Sequence, residues 1–260
     1  MVQAINLQKG KHVGIFQKIF GGQKSLQPVD FSLVKTDMHS HLIPGIDDGS
    51  KSIEDSLALL KKFEEMGYTK VITTPHVMSD FYKNTPEIIN RGLATVHEAM
   101  KQAGLKIELV ASAEYYHDFH FDDLIKQHRL MPFSGKHVLF ELSFNEEPPR
   151  VKETIFNLVT EGYKPILAHV ERYPFYLNQW EKIDDYRSRG VLLQLNINSL
   201  SGHYGPQVKK MAEQLIDRDW IDVIGSDCHH IGHLQMMESL RTNPHLHKVI
   251  AKENLLNKFL

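Results

Sequence analysis

With one cysteine in 260 residues, Cys228, the chain cannot form an internal disulfide, which fits a reducing compartment. No apolar run approaches the roughly 18 residues of a membrane-spanning helix. No signal peptide is evident at the N-terminus either, so a cytoplasmic location is expected. Neither charge is in excess: 30 Lys and Arg stand against 32 Asp and Glu, a formal charge of −2. That balance gives no reason to expect nucleic acid as a partner. A Gly-rich phosphate fingerprint is also missing after the first apolar segment, which weakens a dinucleotide-binding reading.

What the chain does have is enough apolar residues for a full core, 42%, and an unusual number of histidines, 16. Seven short apolar, β-branched segments read as strands: 33–37, 70–74, 107–112, 137–142, 165–169, 191–196 and 221–226. Between most of them lie helical patterns. Ile53, Leu57, Leu60 and Phe63 share one face, with Ser50 or Ser52 as cap and Gly67 as stop. Similar stretches occupy roughly 86–103, 150–162, 179–189 and 206–218. Strand and helix alternating at this spacing predict right-handed βαβ units and a parallel sheet. The expected fold is a single α/β domain, a distorted (β/α)7 TIM-like barrel over residues 33–260. Residues 1–32 form an N-terminal arm. Its first 29 residues contain no acid, and Ile15, Phe16, Ile19 and Phe20 can face one way with Lys11 and Lys18 opposite. Such an arm is expected to pack on the barrel or to form a partly disordered tail, or else to contact a membrane surface or a partner protein.

The ionisable residues fall at strand ends. The first strand runs into Asp37-Met38-His39-Ser40-His41, and residues two apart on an extended chain point the same way. The second leads to Thr74-Pro75-His76, the third to Ala113-Glu114, the fifth to His169-Val170-Glu171-Arg172 and the seventh to Ser226-Asp227-Cys228-His229. Barrel active sites sit at the carboxyl ends of strands. Taken singly, each motif has an ordinary explanation: a surface histidine pair, a turn at Asp47-Asp48-Gly49, a loop closed by His76. Glu114 fits such an explanation least, because a carboxylate ending an apolar strand needs a charged partner. Coincidence at five ends is a poorer account than one shared site.

The candidate metal ligands are therefore His39, His41, Asp48, His76, Glu114, His169, Asp227 and His229, while Asp47 is read as structural. Five imidazoles and three carboxylates exceed the needs of one ion and suit two or three, with a carboxylate such as Glu114 bridging. Nitrogen and oxygen donors without thiolate favour Mn, Fe or Zn over Ca, and a closed structural zinc site would use only four ligands. Clustered ions generate hydroxide from water near neutral pH and neutralise phosphoryl oxygens, so a phosphoesterase is expected. Arg172 can clamp a phosphate, unless it pairs with Glu171 or a neighbouring loop. Asp227 or a nearby histidine can protonate the leaving group. A cysteine nucleophile is disfavoured, because Leu234 stands where a Cys-x5-Arg loop would place its arginine; Cys228 reads as a small packing residue.

Together, His39-Ser40-His41, Asp47-Asp48-Gly49, Thr74-Pro75-His76, Ala113-Glu114, His169-Val170-Glu171-Arg172-Tyr173 and Ser226-Asp227-Cys228-His229 resemble the PHP superfamily (polymerase and histidinol phosphatase). Within it, the chain is most similar to the bacterial capsule-associated protein-tyrosine phosphatases, over about residues 33–240. The resemblance implies a distorted (β/α)7 barrel with a trinuclear site. His39, His41 and Asp227 would hold the first ion. Glu114 would bridge it to a second on His169, and Asp48, His76 and His229 would hold a third. It further implies Arg172 on the phosphate and, as substrate, the tyrosine-rich tail of a polysaccharide-export kinase. Members from Gram-positive capsule systems carry a second arginine after the Ser-Asp-x-His motif. Here that stretch is His230-Ile231-Gly232-His233-Leu234, so His230 and His233 become the candidate replacements. Competing readings are a histidinol-phosphate or other small phosphomonoester phosphatase, a nuclease, and a non-catalytic metal-binding regulator.

Overall fold

The strands form where the β-branched segments were expected, and they all run parallel. The computed structural model describes residues 26–260. The first half contains β1 (Thr36–Asp37), α1 (Ile53–Glu65), β2 (Lys70–Thr73), β3 (His76–Val77), α2 (Pro86–Ala103), β4 (Glu108–Ala111), β5 (Glu114–Tyr116) and α3 (Phe119–Lys126). The second contains β6 (His137–Glu141), α4 (Val151–Thr160), β7 (Lys164–Leu167), α5 (Trp180–Ser188), β8 (Leu192–Asn196), α6 (Pro206–Asp217), β9 (Val223–Gly225), α7 (Ile231–Ser239) and α8 (Pro244–Ile250). Caps account for several helix starts: the side chains of Ser52, Thr85 and Asp118 accept from Asp55 N, Ile88 N and Phe121 N.

The hydrogen-bonded order is β1-β2-β4 in one sheet and β3-β5-β6-β7-β8-β9 in the other. Since β3 continues β2 and β5 continues β4, the nine labelled strands make seven staves. The break between β2 and β3 falls at Thr74-Pro75, where proline has no N–H for the ladder. Threonines satisfy the chain there: Thr74 N and Thr73 Oγ1 donate to Ser40 O at 2.6 and 3.0 Å. A parallel bridge between Ser40 and Cys228 joins the first stave to the last. His41 N donates to Cys228 O at 2.9 Å and Asp227 N to His39 O at 2.8 Å. Lower on the same seam, Asp37 accepts from Ser226 N and Ser226 Oγ at 2.8 and 2.9 Å. Asn257 Nδ2 donates to both Thr36 O and Ile224 O.

Strands buried on both faces divide their side chains between two cores. Val71, Val138, Phe140, Leu167 and Ile224 belong to the large core that includes the helices. Their neighbours Ile72, Leu139, Ile166 and Val223 join Met38, Phe133 and Ala168 in a smaller second core. This second set plugs the barrel, as expected of a small barrel interior. Two residues further along the same strands the chemistry changes. Leu139 is followed by Glu141, Leu192 by Gln194 and Asn196, and Val223 by Gly225. The apolar plug thus ends under a polar layer at the carboxyl ends of the strands.

Val29 and Phe31, which precede residue 33, are buried in the large core. Val29 exchanges 2.7 Å hydrogen bonds with Arg241 through its N–H and its carbonyl. The apolar face expected at Ile15, Phe16, Ile19 and Phe20 lies outside the described residues. Among the described residues, no helix is long and apolar enough to cross a membrane.

Candidate metal centre

All eight sequence-predicted ligands meet at the polar end of the barrel. His39 and His41 lie just past β1 with their Nε2 atoms 3.4 Å apart. Each Nδ1 is anchored from behind: His39 Nδ1 donates to Gln194 Oε1 at 3.1 Å and His41 Nδ1 to Asp47 Oδ2 at 2.9 Å. That pattern leaves both Nε2 lone pairs free for a cation, the usual outer support of a metal-binding imidazole. Asp47 also accepts from Gly49 N and His76 N, so it orders the loop and orients His41. Gly49 is required there, since a Cβ would lie 2.2 Å from His41 O.

Strand register brings in the next ligands. His76 pairs with Glu114 across β3 and β5, and their side chains approach to 3.2 Å. Glu114 Oε2 also lies 3.1 Å from His39 Nε2, while Oε1 lies 3.2 Å from His169 Nε2. Asp48 Oδ1 stands 3.4 Å from both His76 Nε2 and His229 Nε2. The donors form four overlapping groups, each with ligand atoms within 4.8 Å of one another: His41-Asp48-His76-His229, His39-Glu114-His169, His39-His41-Asp227 and His76-Glu114-Glu141. Sharing of His39, His41, His76 and Glu114 between groups makes this one cluster.

The donor set fits divalent cations. Glu114 Oε2 and His76 Nδ1 are buried yet have no hydrogen-bond partner of acceptable geometry, although each faces oppositely charged or polar neighbours. Such atoms are rare and costly unless something else satisfies them. The two lie 3.2 Å from each other, and Glu114 Oε2 also lies 3.1 Å from His39 Nε2 and His76 Nδ1 3.1 Å from Glu141 Oε1, a convergence of donor atoms that suits a cation. The protein's own charges make the same point. Burial opposes a proton on His39, but Glu114 and Asp227 overcome it and push His39 up to about 9. Burial likewise opposes the charge on His76, and Glu114 and Glu141 lift it to about 10. In the partners, burial favours neutral carboxyls, yet the surrounding imidazoles hold Glu114 and Asp227 well below the usual carboxylate range. His39 and His76 therefore sit where positive charge is favoured, whereas burial and Arg172 lower His169.

Two ligands sit on left-handed backbone, His169 at φ 32° and Asp227 at φ 49°. Non-glycine residues adopt it at a cost of about 1–2 kcal/mol. Local hydrogen bonds hold both: His169 N donates to Gln194 Oε1 at 2.8 Å, Arg172 N to His169 O at 2.8 Å, and Asp227 N to His39 O at 2.8 Å.

Arg172 Nη1 donates to Asp227 Oδ2 at 2.7 Å. Its Cζ lies 4.3 Å from the Tyr204 ring centroid and 4.9 Å from that of Phe144. Of the two alternatives expected for Arg172, the pairing with Glu171 does not occur, while a pairing with a neighbouring loop does, through Asp227 after β9. Glu171 turns into the core, where it accepts from Asn196 N at 3.0 Å and Ser199 Oγ at 2.6 Å, and burial pushes its carboxyl up to about 7. Burial opposes the charge on Asp227, but His39, His41, His229 and Arg172 hold its carboxyl well below the usual carboxylate range.

The ligands open on a cleft of about 380 Å³ that Arg172, Phe144, Tyr204, His230 and His233 also line. The two rim histidines lie with ring centroids 4.1 Å apart. His233 Nδ1 is tied to Asp227 O at 2.9 Å. Burial is the main influence lowering His233, to about 4. His117 is turned away toward Thr154, and Cys228 is buried in the core.

Sequence reasoning missed Glu141, Gln194, Asn196, Phe144 and Tyr204. A signal existed for Glu141, a carboxylate near the end of the fourth apolar segment, the same reasoning that singled out Glu114. Glu141 Oε1 lies 3.1 Å from His76 Nδ1 and Oε2 3.8 Å from His169 Nε2. Asn196 Nδ2 donates to Asp227 Oδ2 at 3.0 Å, and nothing in its own sequence context sets it apart.

Known proteins share this architecture. The tyrosine-protein phosphatase YwqE of Bacillus subtilis is 25% identical over 197 residues, 75% of this chain and 77% of its own. The tyrosine-protein phosphatase CpsB of Streptococcus pneumoniae is 25% identical over 201 residues, 75% of this chain and 83% of its own. A solved structure from work on YwqE and CpsB, described there as metal-dependent tyrosine phosphatases, matches with a TM-score of 0.75 at 22% identity. The match covers 85% of this chain and 89% of that one. The family model for capsular polysaccharide synthesis proteins CpsB/CapC matches residues 35–250. With that span matched and the barrel shared, the chain belongs to the CpsB/CapC family.

Proposed function

We propose that the protein is a metal-dependent phosphomonoester hydrolase acting on phosphotyrosine in a protein, with a polysaccharide-export tyrosine kinase as the substrate. The observation that carries this reading is the coincidence, in one open cleft, of four overlapping cation-ligand groups and a guanidinium fixed at their edge. The relatives' names support the choice of tyrosine phosphate. The single cysteine supports a cytoplasmic setting.

In this reading two or three divalent ions occupy the cluster. His39, His41 and Asp227 would hold one, Glu114 and His169 would contribute to a second, and Asp48, His76 and His229 would hold a third, with Glu141 grouped with His76 and Glu114. Mn, Fe and Zn suit the nitrogen and oxygen donors. Bound there, such ions acidify water and neutralise phosphate charge.

The chain's own residues do the rest. Arg172 binds phosphate oxygens with the donors not committed to Asp227. Asp227 Oδ2 and the rings of Tyr204 and Phe144 hold the guanidinium plane in place. Gln194 keeps His39 and His169 oriented through one carbonyl oxygen. A tyrosyl oxygen has an ordinary pKa of about 10, so it leaves as phenolate without a strong proton donor. Asp227 or a nearby histidine can assist by protonating it. His230 and His233 face the cleft where they can meet a phosphate or its flanking peptide.

Phosphate release from a phosphotyrosine peptide, histidinol phosphate, an aryl phosphate and single-stranded DNA tests the reading, with Mn²⁺ and with chelator. Chelator-sensitive release, fastest from the peptide, is expected. Faster turnover of histidinol phosphate would replace tyrosine phosphate as the substrate, and no metal-dependent release from any substrate would overturn the proposal.

A further inference from the structure

The wall of the cleft is not uniform. Most lining groups are carboxylates and imidazoles, while carbon surface is concentrated beside Arg172, in Phe144 and Tyr204. The two rings differ in what they leave available. Tyr204 is partly buried, and its hydroxyl accepts from Asn196 Nδ2 at 3.3 Å. Phe144 is stacked on His169 and Tyr173, with centroids 5.5 and 5.4 Å away and interplanar angles of 26° and 29°. It is nevertheless 40% exposed. A large ring held by two stacking partners, yet left open beside the guanidinium, is a prepared apolar surface.

Resting on the phosphatase reading above, we infer that Phe144 is a specificity-determining residue that receives the phenyl ring of the substrate and so selects aryl over alkyl phosphates. A phosphate held by Arg172 brings its ester substituent alongside the ring that covers the guanidinium. A phenyl group stacks there and removes carbon surface from water on both partners. The single methylene of phosphoserine leaves Phe144 exposed. Stacking of this kind corresponds to about a three- to tenfold preference. Leaving-group chemistry also favours aryl esters, but that contribution is the same in every variant of the protein. A change in the aryl-to-alkyl ratio on substitution therefore isolates the wall.

The experiment uses Mn²⁺-loaded full-length protein and paired peptides of one sequence carrying phosphotyrosine or phosphoserine. In Phe144→Ala the phosphotyrosine-to-phosphoserine ratio of kcat/KM should fall about three- to tenfold, and Phe144→Tyr should restore it. Inhibition by phenylphosphonate relative to methylphosphonate should shift by a similar factor, a readout that involves no turnover. If Phe144 only steadied Arg172, both peptides would lose rate equally. An unchanged ratio and unchanged relative inhibition in Phe144→Ala and Phe144→Leu overturn the inference. Failure of the phosphatase reading looks different, since wild-type protein would then release phosphate from neither peptide.

Discussion

Asp227 splits its two oxygens between two tasks: Oδ2 accepts from Arg172 Nη1 at 2.7 Å, while Oδ1 faces His39, His41 and His229 at 3.4–3.5 Å. The guanidinium is thus registered against the cation ligands through one carboxylate. Arg172→Ala should lower kcat/KM for a phosphotyrosine peptide about 10²- to 10³-fold, and Arg172→Lys should recover only part, since an ammonium cannot fork across two oxygens. Metal content, read by mass spectrometry, should be unchanged. Activity within threefold of wild type in the alanine variant would refute the phosphate-binding role.

Gln194 supports two ligands with one oxygen, accepting from His39 Nδ1 and His169 N. Gln194→Leu removes that acceptor from a fully buried site and should weaken divalent-ion affinity about 10- to 100-fold. Gln194→Glu, which retains an acceptor, should lose less. Chelator competition titrations measure both, and equal affinity in wild type and Gln194→Leu would show that the histidines need no such support.

The seven staves were legible because strands buried on both faces are written as short, continuous apolar and β-branched runs between helical patterns. Five of them also announced a ligand at their ends. The interruptions that make β3 and β5 separate strands were not foreseen, although Pro75 marks one of them. The helices at α3, α7 and α8 escaped notice, and α7 has only a weak amphipathic pattern. Glu141 was hidden inside an apolar run. Gln194, Asn196, Phe144 and Tyr204 carry no charge, and their proximity to the ligands arises only when the barrel closes. A single sequence discloses chemistry through unusual residues; the ordinary ones that orient them become visible only in three dimensions.

Gly225 faces the same layer. A Cβ there would lie 2.7 Å from His39 Cβ and 2.9 Å from Gln194 Nε2. Gly225→Ala should therefore displace His39, lower the unfolding midpoint by several degrees and reduce metal binding; overpacking of this kind costs about 1–3 kcal/mol. Calorimetry with and without Mn²⁺ checks this. An alanine variant with unaltered midpoint and metal affinity would mean that the strand shifts freely.

The stripped protein should respond to alkali in a definite direction. His39 and His76 have folded-state values near 9 and 10, above an unfolded value of about 6.5. Their contribution to stability is complete below the unfolded value and disappears as pH rises through 9 and 10. In excess chelator the unfolding midpoint should thus fall between pH 7 and 10. Added Mn²⁺ should raise it more at pH 8 than at pH 6, because deprotonated imidazoles bind the ion. A chelated protein that gains stability over pH 7–10 would contradict the assignment of charge in the cluster.

The seam that joins the first stave to the last has a consequence for biosynthesis. Asp37 meets Ser226, and the bridge between Ser40 and Cys228 brings His39 and His41 beside Asp227 and His229. His39 and His41, from the beginning of the barrel, each belong to a group that needs a residue from its end. Asn257, which stitches Thr36 to Ile224, emerges later still. A chain that stops before residue 227 lacks Asp227 and His229, and so lacks the third member of the His39-His41-Asp227 group and one imidazole of the His41-Asp48-His76-His229 group. Those two groups can be complete only once the last stave has been made.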